Sequence, residues 1–200
     1  MAVSGFSKIR GNVRTSFRDE GGTFVSDDDL DALIDLAQAD WCVLTGTLVG
    51  RKDVVTNESG VLPLPDDCIR PTGLTLSNGL SLPVFPWRTL VRFHGDFRRQ
   101  TGDFPVAVCF DFDQCSGYRL FPKVPSGLRI GTLEYSRRPK EGVLEIREDK
   151  AIEAYCLAML CSLTGKDGSQ WERVFINAAS AYGGGRVGRA GGRYGVGRFF

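Results

Sequence analysis

Apolar residues recur at helical spacing near both ends of the chain and lose that spacing in between. Phe6, Ile9, Val13 and Phe17 step by three and four, with Lys8, Arg10, Arg14 and Arg18 among them. This predicts a short basic amphipathic helix over residues 6–18. Gly21-Gly22 marks a turn. Ser26, followed by Asp27, Asp28 and Asp29, is a helix-start signal. Its hydroxyl can accept an open backbone N–H of the first turn, and the aspartates sit at the positive end of the helix dipole. Leu30, Leu33, Ile34, Ala37, Trp41 and Leu44 then fall on one face, which predicts a helix over 27–45. The periodicity returns near residue 148. Ala151, Ile152, Ala154, Tyr155, Leu157, Ala158, Leu160 and Cys161 predict a helix over 149–164 that is apolar around most of its circumference, hence buried. Gly165 and Gly168 mark its stop and a turn. Trp171 to Tyr182, with Val174, Phe175 and Ala178 on one face, predicts a last helix over 169–182.

Between these ends, residues 46–147 carry short β-type runs broken by proline and glycine. Val54-Val55, Gly73–Ser77, Leu80–Phe85, Val106–Phe112, Tyr118–Phe121 and Leu128–Tyr135 are the strand candidates, and Asn78-Gly79 between two of them is a hairpin signal. Nine prolines border or interrupt these runs, which suits edge strands and loops better than a central parallel sheet. The expected fold class is therefore α+β. Helices from both ends of the chain form one bundle, with a small antiparallel β-sheet or barrel inserted at 46–147. Leu33, Ile34, Trp41, Tyr155, Leu157 and Leu160 are expected in its core. The expected organisation is one domain over 1–182 and an extended Gly/Arg-rich C-terminal arm over 183–200.

Charge changes the picture at that arm. The chain's net charge is +1, but Arg186, Arg189, Arg193 and Arg198 lie in a stretch without acids, leaving the remainder at −3. A near-neutral body argues against nucleic acid as the main ligand, because duplex binders show a broad basic face. No apolar run approaches the length needed to span a bilayer. No apolar signal core follows the basic N-terminal residues, so the chain is expected to be made and used in a cytoplasm.

Little in the sequence points to chemistry. The six cysteines, Cys42, Cys68, Cys109, Cys115, Cys156 and Cys161, form no CxxC pair, and His94 is the only histidine; zinc-ligand spacing is lacking. Asp111 and Asp113 alternate onto one strand face with no third ligand evident, and His94 has no nucleophile motif beside it. The run GGGRVGRAGG lacks the Lys-Ser/Thr ending of a phosphate loop. The sequence thus predicts no catalytic, cofactor or metal residues, and an assembly protein rather than an enzyme.

The ordered set of motifs resembles the head-to-tail adaptor (connector) proteins of tailed bacteriophages. The resemblance is carried by Val13-Arg14-x-x-Phe17-Arg18-Asp19, by Phe24-Val25-Ser26-Asp27 leading to Leu33-Ile34 and Ala37-Gln38, and by Leu62-Pro63-Leu64-Pro65-Asp66-Asp67. It continues through Gly102-Asp103-Phe104-Pro105, Leu120-Phe121-Pro122-Lys123-Val124-Pro125, Tyr135-Ser136-Arg137-Arg138-Pro139 and the helix at Ala151–Leu163, and so spans residues 6–165. It implies a virion protein of the neck that forms a ring, usually of twelve copies, beneath the portal protein. Such a ring extends the DNA channel and gives tail or nozzle proteins a platform, while packaged double-stranded DNA passes without specific binding. Heterologous contacts that close by rotation would join the copies.

The role of Gly183–Phe200 rests on physical argument alone. Its eight glycines cannot build a core, but they permit close backbone approach to a partner. Arg186, Arg189, Arg193 and Arg198 can pair with acidic groups, and Tyr194, Phe199 and Phe200 can fill apolar pockets. These seven residues are the candidate partner interface, directed at a neighbouring copy or at the portal. The alternative is a nucleic-acid-binding accessory protein that uses the same arginines.

Overall fold

In a computed structural model, residues 5–56, 61–95, 99–110, 117–124 and 129–183 are described. They divide into two compact units, one built from the segments up to Thr45 and from Pro139 onward, the other from Gly46–Arg138.

The first unit is a bundle of α1 (Gly5–Phe17), α2 (Asp27–Thr45), α4 (Asp149–Leu163) and α5 (Ser169–Gly183). Phe6, Ile9 and Val13 of α1, Leu30, Ile34, Ala37 and Trp41 of α2 and Ile152, Cys156, Leu157 and Leu160 of α4 are buried and form its apolar core. Phe175 of α5 packs edge-on against Trp41 and Tyr155, at ring-centroid distances of 5.8 and 5.0 Å. The buried face of α2 runs through 30, 34, 37, 38, 41, 42 and 45. Two expectations shift accordingly. Leu33 lies at the margin of that face and is half-buried, and Leu44 is exposed. Tyr155 is also half-buried, because its hydroxyl reaches out to Asp40. On α5 the inward positions are Phe175 and Ala179, which turns Val174 to solvent.

The helix ends follow from local chemistry. The Ser26 hydroxyl accepts the Asp29 N–H at 3.1 Å, as the start signal requires. At the end of α4, Gly165 takes φ +67°. The Lys166 and Gly165 N–H groups bond back to the Cys161 and Ser162 carbonyls, closing the helix with a Schellman turn. α1 ends the same way, but with Arg18 rather than a glycine at φ +62°. The chain therefore turns before Gly21-Gly22.

Two side chains hold this unit's connections. Asp19 is buried at the α1–α2 junction, where its carboxylate accepts the N–H groups of Thr23, Phe24 and Val25 and pairs with Arg14 at 3.0 Å. Burial opposes its charge, but the N–H groups of Phe24 and Val25 and the two donors of Thr23 outweigh that and hold its carboxyl below the ordinary value. Gln38, fully buried on α2, donates to the Val143 carbonyl at 3.1 Å and accepts the N–H groups of Glu145 and Ile146 at 2.8 and 3.2 Å. Residues 139–147, expected in the β-rich insertion, thus pack with the helices.

The second unit contains two four-stranded sheets. Seven of its strands are β1 (Val49–Val55), β2 (Val61–Pro63), β3 (Cys68–Leu76), β4 (Ser81–Leu82), β5 (Val84–Pro86), β6 (Ala107–Phe110) and β7 (Gly117–Phe121); the eighth is β8 (Arg129–Arg137). One sheet has the order β1-β8-β3-β4 and is antiparallel throughout. The other has the order β2-β7-β6-β5, and its β5–β6 pair is parallel, which corrects the expectation of an all-antiparallel sheet. β5 is an edge strand bordered by Pro83 and ending at Pro86, where a missing N–H costs no ladder bond. Leu62, Leu74, Val108, Leu120 and Leu133 fill the core shared by the two sheets.

The Asn78-Gly79 hairpin joins β3 to β4. Gly79 at φ +85° follows a turn closed by its own N–H to the Leu76 carbonyl. A helix not expected from the periodicity, α3 (Trp87–His94), places Leu90 on Ala107, Cys109 and Phe121. Asp111, Asp113 and Cys115 lie outside the described residues.

Ile34→Ala should lower unfolding free energy by about 2–5 kcal/mol, whereas Leu44→Ala should stay within about 0.5 kcal/mol; denaturant titration of both variants checks the assignment of the α2 face. Asp19→Asn should lower the melting temperature at pH 7. The native carboxyl titrates below its unfolded value of about 3.9, so its contribution is present above that pH and is lost as pH falls through the native value. The gap between wild type and Asp19→Asn should therefore close in melting curves recorded at successively lower pH below about 4. A gap independent of pH would assign Asp19 a packing role only.

Candidate functional site

α2 has two apolar sides. Opposite the core-facing residues, Ala32, Leu36, Ala39 and Val43 follow one another by four, three and four residues, so they line up along one side of the helix. Leu36 is 43% and Val43 52% exposed. This is the spacing of a coiled-coil seam, and the described residues leave it open to solvent.

Aspartates border the stripe: Asp28 and Asp35 along one edge, Asp29 and Asp40 along the other. Some also serve the bundle. Asp29 completes the Ser26 cap, Asp35 accepts the Gly142 N–H at 3.0 Å, and Asp40 accepts the Tyr155 hydroxyl at 2.6 Å. Burial first, and then the Asp40 bond and charge, push the Tyr155 hydroxyl well above its ordinary range, so it remains a donor to the carboxylate. On the α1 side, Arg10 and Arg14 both bind Asp27, at 2.7 and 2.6 Å. The Arg14 bond is the largest cause of a lowered Asp27 carboxyl. Asp31 is raised, by burial above all, with Arg10 opposing.

The net effect is electrostatic asymmetry. α2 carries six aspartates and no lysine or arginine. The helical unit up to residue 183 holds nine basic and fifteen acidic residues, whereas residues 184–200 hold four arginines and no acid.

The sequence-derived interface residues Arg186, Arg189, Arg193, Tyr194, Arg198, Phe199 and Phe200 all lie outside the described residues. His94 is the last residue of α3. Cys42, Cys68, Cys109, Cys156 and Cys161 take part in no disulfide, and burial pushes Cys156 up to about 12 and Cys68 up to about 11, against reactivity. Among the described residues there is no group of three or more His, Cys, Asp or Glu side chains arranged to hold a metal ion, and no helix long and apolar enough to cross a membrane.

The α2 stripe was missed at the sequence level because its alanines and its single leucine and valine are weak signals beside the core face. The signal available was that α2 keeps apolar residues on two opposite sides. A second exposed feature is the loop over residues 101–106, which backbone bonds from Gly102 and Val106 pin to Lys123 and Phe121. It presents Phe104 at 74% exposure.

Compared with known families, the chain matches the model of the SU10 adaptor protein over residues 5–191. That match reaches past α5 into the Gly/Arg-rich segment, beyond the residues that carried the resemblance in the sequence. No curated protein matches the chain. Nearly the whole length is covered, and the chain belongs to the SU10 adaptor protein family, the head-to-tail adaptors of tailed bacteriophages.

Proposed function

We propose that this adaptor, a structural component of the virion, works as one subunit of a closed ring of twelve copies, the number the family resemblance implies, seated beneath the portal protein. The ring extends the DNA channel and gives tail or nozzle proteins their platform. The observation that carries this reading is the family match over residues 5–191. The open α2 stripe supports it, since an ordered apolar seam rimmed by charge is what a protein–protein contact requires. The chain's role is mechanical, and assembly takes place in the host cytoplasm. The acidic helical unit suits a channel component past which DNA must slide, because dense phosphate contacts would retard it.

The arm residues Arg186, Arg189, Arg193, Tyr194, Arg198, Phe199 and Phe200 act in this reading as contacts to a protein partner. Native mass measurement of the purified chain, alone and with the portal ring, should give a discrete multi-copy ring, twelve chains on the portal. A chain that stays monomeric under both conditions contradicts the reading. DNA retention that is salt-sensitive and is lost when residues 184–200 are removed would instead favour the nucleic-acid accessory role.

A further inference from the structure

The open side of α2 needs an occupant, and charge narrows the choice. A second α2 cannot cover it, because aspartates rimming both stripes would face one another. Residues 1–18 and 184–200 each carry four basic residues and no acid. Lys8, Arg10 and Arg14 are already paired within the bundle, which leaves 184–200, with Arg186, Arg189, Arg193 and Arg198 spaced among glycines and followed by Phe199 and Phe200. We propose that the outer stripe of α2, Ala32, Leu36, Ala39 and Val43, is the seat of residues 184–200 of a neighbouring copy. This rests on the ring reading above and names the contact within it.

The chemistry matches on three counts. Arginines can fork onto Asp28, Asp35, Asp29 and Asp40 along both edges of the stripe, some bidentately. Glycines let the backbone lie close over Ala32 and Ala39, where a bulkier strand would be held off. Aromatic rings can cover Leu36 and Val43, the contact type that most often anchors an interface.

Reach permits a neighbouring copy, and the starting point favours it. Ala32 to Val43 covers about 16 Å of helix, whereas seventeen residues can span up to about 56 Å. The surplus allows a bridge to another subunit. α5 also delivers the segment on the wrong side of its own α2: Tyr182 packs against the core-facing Trp41 at 5.7 Å, away from the stripe. A contact of this kind is heterologous, acidic helix to basic arm, and can propagate from copy to copy until the ring closes.

The test places a photo-crosslinking benzophenone amino acid at Leu36 in the full chain, with and without the portal ring, and maps the crosslinked peptides. The expected product joins residue 36 to a peptide within 184–200 of a second chain, at twice the chain mass. That product should be lost in chains that also carry Val43→Asp or the pair Arg186→Glu and Arg189→Glu. Crosslinks to 184–200 within one chain, to any other segment, or to nothing in an assembled sample overturn the proposal. If rings form while Leu36 crosslinks elsewhere, only this contact is wrong. If no multi-copy species forms under either condition, the ring reading falls and this contact with it.

Discussion

A buried amide on α2 closes the helical unit across the β-rich insertion. Gln38 is fully enclosed, and three of its hydrogen bonds reach residues 143–146, more than 100 positions away in sequence. A polar group at that depth stabilises the fold only while its partners are in place, because each unmet bond costs about 1–3 kcal/mol. That makes it a register device. It fixes where the chain re-enters the bundle after the β unit, and so where α4 begins relative to α2. The core pairing of Ile34 and Trp41 with Ile152, Leu160 and Phe175 depends on that placement. Asp19 does the equivalent for the short connection, binding three successive N–H groups so that α1 and α2 meet at a defined angle.

The division of labour on α2 follows from its composition. One side is spent on the bundle core, and the opposite side is apolar but uncovered. Its aspartates stabilise the helix start, pair with the arginines of α1, and leave a negative surplus that no residue of α2 neutralises. A monomer gains nothing from an exposed seam of this kind. In the proposed ring, the aspartate rim favours a basic segment over a second α2.

Much of this was legible in the sequence. Ser26 and the aspartates after it marked the start of α2 correctly, and three- and four-residue steps located all four bundle helices. Those signals are local, set by capping and periodicity. The β unit was read less completely. Arg51, Lys52 and Asp53 hide most of β1, whose outward side chains are charged, and Pro71 hides β3, where the strand accommodates it at a register shift. The parallel β5–β6 pair and α3 depend on tertiary packing, with Leu90 against Phe121, and no periodicity announces them. On the candidate site, the residues named from sequence all lie in the arm, outside the described residues, and the α2 stripe was not among them. Its recognition required knowing which side of the helix the core had already used.

The most direct test of the account is carbene footprinting of the chain in dilute solution and after assembly. Leu36 and Val43 should be labelled in the dilute chain and protected in the assembly, while Leu30 and Ile34 stay unlabelled in both. Equal labelling of Leu36 and Val43 in the two states would contradict the claim that α2 carries one face for folding and another for assembly.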